Sequence, residues 1–94
     1  MHEKILHEMR ARVRLGRIAI SVHALDEMRN DNLIPDDLSN CILTGRIIER
    51  QFDEAYADYK YVIEGESLDP SEFIHVAAKL GRRNTVVITT YRVW

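Results

Sequence analysis

Phe73-Ile74-His75-Val76-Ala77-Ala78-Lys79-Leu80, then Gly81-Arg82-Arg83-Asn84, then Thr85-Val86-Val87-Ile88-Thr89-Thr90-Tyr91-Arg92-Val93, is the stretch that decides how this chain folds. Both flanking runs are rich in β-branched and aromatic residues, and the short link bounded by Gly81 and Asn84 joins them, so the pattern is that of a β-hairpin. Alternation puts Ile74, Val76, Ala78 and Leu80 on one face of the first strand, and Phe73, His75, Ala77 and Lys79 on the other. With the apolar set against a helical layer, His75 and Lys79 look out of the sheet together. The register across the hairpin stays open. A symmetric turn centred on Arg82-Arg83 pairs His75 with Thr90 and brings Arg92 onto the His75 face, whereas a bulged turn brings Tyr91 there instead.

Upstream of the hairpin, residues 46–52 and 59–65 are also strand-like, and residues 53–58 and 66–72 connect them. Short connections favour an antiparallel meander, because a parallel return needs a crossover. Before residue 46 the period is helical. Residues 2–15 lack Gly and Pro and carry Leu6, Met9 and Val13 at helical spacing, with Gly16 as a stop. Residues 18–22 are a short β-like run, and a second helix covers 23–32. Pro35 opens a third helix, with Asp36 and Asp37 at the positive end of its dipole and Gly45 as its terminator. Cys41 falls on the apolar stripe of that helix and reads as a small core residue. The expectation is an α+β domain over residues 1–94, its N-terminal helices packed on one face of a four-stranded antiparallel sheet.

Composition narrows the function classes. The chain has 94 residues, 46% hydrophobic and 30% charged, with a net charge of −2. That size is one small domain, and that charge excludes a domain basic overall, though not a basic patch. The charge is uneven. Residues 1–22 carry five basic groups against two acidic, and 79–94 carry four basic and no acid, while 53–78 hold seven acidic against one basic. If the two basic ends meet in the fold, they form a positive surface hidden by the mild acidity of the whole. A lone Cys41 makes no internal disulfide, no Cys/His set has zinc-ligand spacing, and no apolar run approaches the ~18 residues of a membrane span. These point to a reduced, cytoplasmic protein without metal or other cofactor.

Few residues carry chemistry. His23 lies in the first turn of its helix, four residues before Glu27, so the two can meet on one face. An imidazole there serves as general acid or base near neutral pH, or equally as a packed or capping residue. His75 and Lys79 on one sheet face suit phosphodiester chemistry, the imidazole moving a proton and the ammonium meeting charge on phosphorus. Tyr91 and Arg92 point to opposite faces, so one of them joins His75 across the hairpin. Arg82 and Arg83 add cationic groups at the turn.

His23-Ala24-x-x-x-Met28, Ile34-Pro35-Asp36-Asp37, Phe73-Ile74-His75-Val76 and Val86-Val87-Ile88-Thr89-Thr90-Tyr91-Arg92, in this order and spacing, resemble the bacterial domain-of-unknown-function 4258 family over about residues 20–92. Residues 1–16 form an extra N-terminal helix outside it. Many members resemble toxins of the RelE/ParE-like superfamily, some of them paired with a zinc-ribbon antitoxin of the YgiT type. The resemblance implies a ribonuclease toxin of a type II toxin–antitoxin pair, with RNA and a cognate antitoxin as partners. It implies His23, His75 and Tyr91, with Arg92, as the site; the reading of the residues themselves adds Lys79, Arg82 and Arg83 to Arg92 as substrate-binding groups. Family members often carry Arg four residues after the first His, where this chain has Glu27. Arg10, Arg14 and Arg17 replace that cationic clamp only if the first helix folds over the sheet. The competing reading is a non-catalytic protein-binding module that uses the same sheet face.

Overall fold

Leu6, Met9 and Val13 form the buried stripe of helix α1 (Glu3–Arg14), and the helix stops where Gly16 takes a left-handed φ of 74°. The computed structural model describes residues 2–93; Met1 and Trp94 lie outside them. Strand β1 (Ile18–Ile20) follows, then α2 (Val22–Asp31) and α3 (Pro35–Thr44). The rest is strand: β2 (Arg46–Asp53), β3 (Asp58–Glu66), β4 (Phe73–Leu80) and β5 (Thr85–Val93).

The sheet has five strands in the order β1-β5-β4-β3-β2. The four long strands form the expected antiparallel meander, but the expected four-stranded antiparallel sheet is corrected to a mixed one. β1 pairs parallel with β5 through Ile18–Thr85, Ala19–Val86 and Ile20–Val87. The crossover that a parallel pair needs is supplied by everything between the two strands, namely α2, α3 and the meander itself. The run expected over 18–22 is accordingly split, with Val22 already helical.

One face of the sheet carries the core. Ile63, Ile74, Val76, Ala78 and Val87 pack with Met9, Met28, Leu38 and Ile42 of the helices. Leu38 and Ile42 are completely buried, each contributing about 1.5–3 kcal/mol relative to exposure. The C-terminal end of α3 comes so close to β3 that a Cβ on Gly65 would collide with the Cys41 carbonyl. Arg10 holds this junction from α1, its guanidinium donating to the carbonyls of Ile42 (2.9 Å) and Gly45 (2.6 Å). α1 therefore packs against α3 on the core side, and its arginines do not cross the opposite sheet face.

The hairpin has a symmetric turn and a bulge as well. Leu80 pairs with Thr85, closing Gly81–Asn84 evenly, yet the register shifts within β5 so that Ala78 faces Val87 and Ala77 faces Thr89. Ile88 is the extra residue. Its displacement pairs His75 with Tyr91 and Ile74 with Arg92, which resolves the open register in favour of Tyr91.

Candidate functional site

On the sheet face opposite the helices, three adjacent strands contribute one side chain each to a hydrogen-bonded chain. Glu64 of β3 pairs with His75 of β4, and His75 with Tyr91 of β5. Cross-strand partners share a face, so the three groups stand side by side. His75 Nε2 lies 2.9 Å from Glu64 Oε2, and His75 Nδ1 lies 3.0 Å from the Tyr91 hydroxyl. An ionised carboxylate only accepts, so in the neutral imidazole Nε2 carries the proton and Nδ1 accepts from the Tyr91 O–H. The histidine side chain is 15% exposed and Tyr91 44%. Both ring nitrogens are engaged, so the phenol is the group this relay presents to solvent. Arg46 lies at the same end, 4.0 Å from Glu64 Oε1.

The remaining candidate residues fall in four other places. Lys79 shares the His75 face, but it lies four positions further along the strand, about 13 Å. Its ammonium is 3.4 Å from Asp58 and 5.0 Å from the centre of the Tyr56 ring. Arg92 faces the helices: its guanidinium donates to the Asp31 carbonyl at the end of α2 (2.6 and 2.9 Å) and pairs with Glu72. Arg82 and Arg83 are exposed on the hairpin turn.

His23 contacts Glu27 through Nε2 at 3.2 Å, with 70% of its side chain exposed. Glu27 in turn accepts from the Thr89 hydroxyl and from the backbone N–H of Thr90. Thr89 shares the open face with Tyr91 two residues on, so His23 stands at the rim of that face without touching the relay. Beside it, a groove is lined by Ser21, His23, Asp53, Tyr56, Lys60 and Thr89. Lys60 is bonded to Asp53 at 3.2 Å, and that bond, with the N–H groups of Tyr56 and Ala55, holds the Asp53 carboxyl below its ordinary range.

α2 also protects the edge of β5 where β1 ends. Its capping residue and its own side chains supply partners for the strand's unpaired backbone groups: Ser21 for Ile88 O, Glu27 for Thr90 N–H and Asp31 for Arg92 N–H. Sequence reasoning missed Glu64. Its signal was its place on the charged side of an alternating strand, which faces His75 only once the β3–β4 register is set. Among the described residues no group of His, Cys, Asp and Glu side chains has the geometry of a metal site. No helix among them is long and apolar enough to cross a membrane.

Comparison with known proteins finds no match among curated proteins and none among solved structures. The model of the family described as domain of unknown function (DUF4258) matches residues 20–92, from β1 through the relay's Tyr91 to Arg92. That match covers most of the chain and leaves α1 outside it, and the chain belongs to this family.

Proposed function

We propose that this chain is a toxin of the RelE/ParE-like kind that cleaves RNA without a metal, with Glu64, His75 and Tyr91 as its proton relay. The observation that carries the reading is the Glu64–His75–Tyr91 chain on the face away from the helices. A ribose 2′-hydroxyl passes its proton to the Tyr91 oxygen as the Tyr91 proton moves to His75 Nδ1. The 2′-oxygen attacks the adjacent phosphorus, a 2′,3′-cyclic phosphate forms, and the 5′-oxygen leaves with a proton taken from His23 or water. Glu64 orients the imidazole and stabilises the imidazolium, the task of the carboxylate in a catalytic triad. Arg46 meets the charge developing on phosphorus. A cognate antitoxin, of the zinc-ribbon type that the family resemblance suggests, then covers the same face.

One observation favours the second reading, a protein-binding module. Lys79 and Lys60, cationic groups on the open face, each already have a carboxylate partner in Asp58 and Asp53. Induced expression in a bacterial host separates the two. Growth arrest with RNA loss in the wild type, absent in Tyr91→Phe and His75→Ala at equal folded protein, is the expected result. Normal growth and intact RNA in all three supports the binding module.

A further inference from the structure

The two basic ends of the chain meet. Arg12 near the end of α1 reaches across to the hairpin turn, donating to Gly81 O at 2.7 Å and Asn84 O at 2.9 Å. The segment after α1 is joined to the same turn, Thr85 N–H donating to Arg17 O at 2.9 Å. Arg14, Arg17, Arg82 and Arg83 are thereby gathered at one end of the molecule, all exposed. None of these four side chains has a hydrogen bond or ion pair among the described residues. The acids around them are mostly taken. Glu8 pairs with Arg12, Asp58 with Lys79 and Asp53 with Lys60, which leaves Glu54 as the unpaired acid of the neighbouring β2–β3 turn.

Four unpaired guanidinium groups on a chain of net charge −2 are a local field rather than a general one. Guanidinium is also the cation best suited to phosphate oxygens. We infer that this junction is a docking surface for the phosphate backbone of single-stranded RNA, built jointly by α1, which lies outside the family-matched residues, and the β4–β5 turn. The inference rests on the RNA-cleaving reading for its choice of polyanion and extends that reading to a part of the molecule it does not use. His75 and Arg82 are seven strand residues apart, about 23 Å. A strand held at the junction thus has several nucleotides to run along the open face before one reaches Tyr91. The paired cations of that face then need not attract RNA by themselves, because affinity comes from the junction and chemistry from the relay.

The test uses a fluorescent 2′-deoxy oligonucleotide about a dozen residues long, which cannot undergo 2′-hydroxyl attack, titrated at several salt concentrations. The proteins are the wild type, a fourfold Arg14→Gln/Arg17→Gln/Arg82→Gln/Arg83→Gln variant, and Tyr91→Phe. None of the four arginine side chains makes a hydrogen bond or ion pair among the described residues that the substitutions would break, and thermal melting checks that the fold is kept. Each phosphate contact contributes about 0.7 to the slope of log affinity against log salt for single strands. The expected result is at least tenfold weaker binding by the fourfold variant at low salt, with a slope reduced by about 3, and unchanged binding by Tyr91→Phe. Equal affinity and slope in wild type and fourfold variant overturns the docking surface. So does a wild type that ignores the oligonucleotide but binds anionic lipid vesicles or polyglutamate. Expected binding together with uncleaved RNA leaves the docking surface standing and removes the nuclease reading.

Discussion

Ser21 Oγ donates to the carbonyl of Ile88 at 2.8 Å, and this contact helps decide which side chain of β5 faces His75. The Ser21 backbone N–H holds the carbonyl of the preceding residue, Val87, at 3.0 Å. One residue thus grips two successive carbonyls that a regular strand would point in opposite directions, and Ile88 is the bulge that results. Ser21 also caps α2, its Oγ accepting from Ala24 N–H at 3.0 Å. Helix start, bulge and relay are mechanically one unit.

Ser21→Ala therefore removes a cap and the anchor of the bulge together. The expected cost is about 1–2 kcal/mol of stability, read from a urea midpoint. NMR should also show weakened Tyr91–His75 cross-strand contacts. Ser21→Thr keeps both hydroxyl roles and should behave as wild type. Unchanged Tyr91–His75 contacts in the alanine variant would show that the bulge holds itself.

The hydrogen-bond polarity of the relay predicts the tautomer of His75. In its neutral form the proton should sit on Nε2, facing Glu64, which nitrogen-15 shifts of the imidazole report directly. Glu64→Leu should release that preference and, on the proposed mechanism, lower RNA cleavage by a factor of about 10² or more. A neutral His75 protonated on Nδ1 in the wild type would reverse the relay's direction and sink the role given to Tyr91.

Gly65→Ala tests the closeness of α3 to β3. The added methyl meets the Cys41 carbonyl, and the Gly45 Cα lies 2.9 Å from it, so the end of the helix must move outward. Overpacking of this sort costs about 1–3 kcal/mol. A urea midpoint equal to wild type would mean that the α3–β3 junction yields freely.

Cys41 is wholly buried, and its thiol lies 3.7 Å from the carbonyls of Ile63 and Ile74. Burial pushes its pKa up to about 12. The native thiol should resist alkylation at pH about 8, where an ordinary thiol with a pKa near 8.5 already reacts. The folded value is the raised one, so the folded state keeps a proton that the unfolded state gives up. This contribution to stability is complete below the unfolded pKa and is lost as pH rises towards the folded one. Cys41→Ala should flatten the alkaline fall in stability, and an equal slope in both proteins would contradict it.

Asp53 acts at the other end of the pH range. The Lys60 hydrogen bond, with backbone N–H groups of Tyr56 and Ala55, lowers its folded pKa. Its contribution is present above the unfolded value of about 3.9 and disappears as pH falls through the folded one. Asp53→Asn should therefore show a shallower loss of stability below pH about 4, measured by urea melts across that interval.

Much of the architecture was legible in local pattern. The stripe Leu6, Met9, Val13, the Pro35 opening of α3 and the alternation of residues 73–80 each reflect a period set by the helix or strand itself; Leu6, Met9, Val13, Ile74, Val76 and Ala78 are buried as expected, while Leu80 is only partly so. His75, Tyr91 and His23 were legible as candidates because side chains able to move a proton near neutral pH are few in this chain. Arg82 and Arg83 were legible as surface charge, as was the meeting of the two basic ends as a condition on the fold.

Pairing between distant segments was another matter. Ile18–Ile20 has no local property that selects β5 as a parallel partner; the choice depends on where α2 and α3 leave the edge open. The turn itself is symmetric, but it does not bring Arg92 onto the His75 face as a symmetric turn alone would, because Ser21 displaces Ile88 from 67 residues away. The same displacement sends Arg92 to the helix side, where Asp31 and Glu72 occupy it, and brings Tyr91 to the relay. Glu64 became visible only through its β4 partner. The sequence by itself determined the elements and their buried faces, since backbone periodicity and hydrophobic burial act within a few residues. Only the tertiary structure decided which side chains share a proton, because a one-residue slip in a strand exchanges its two faces.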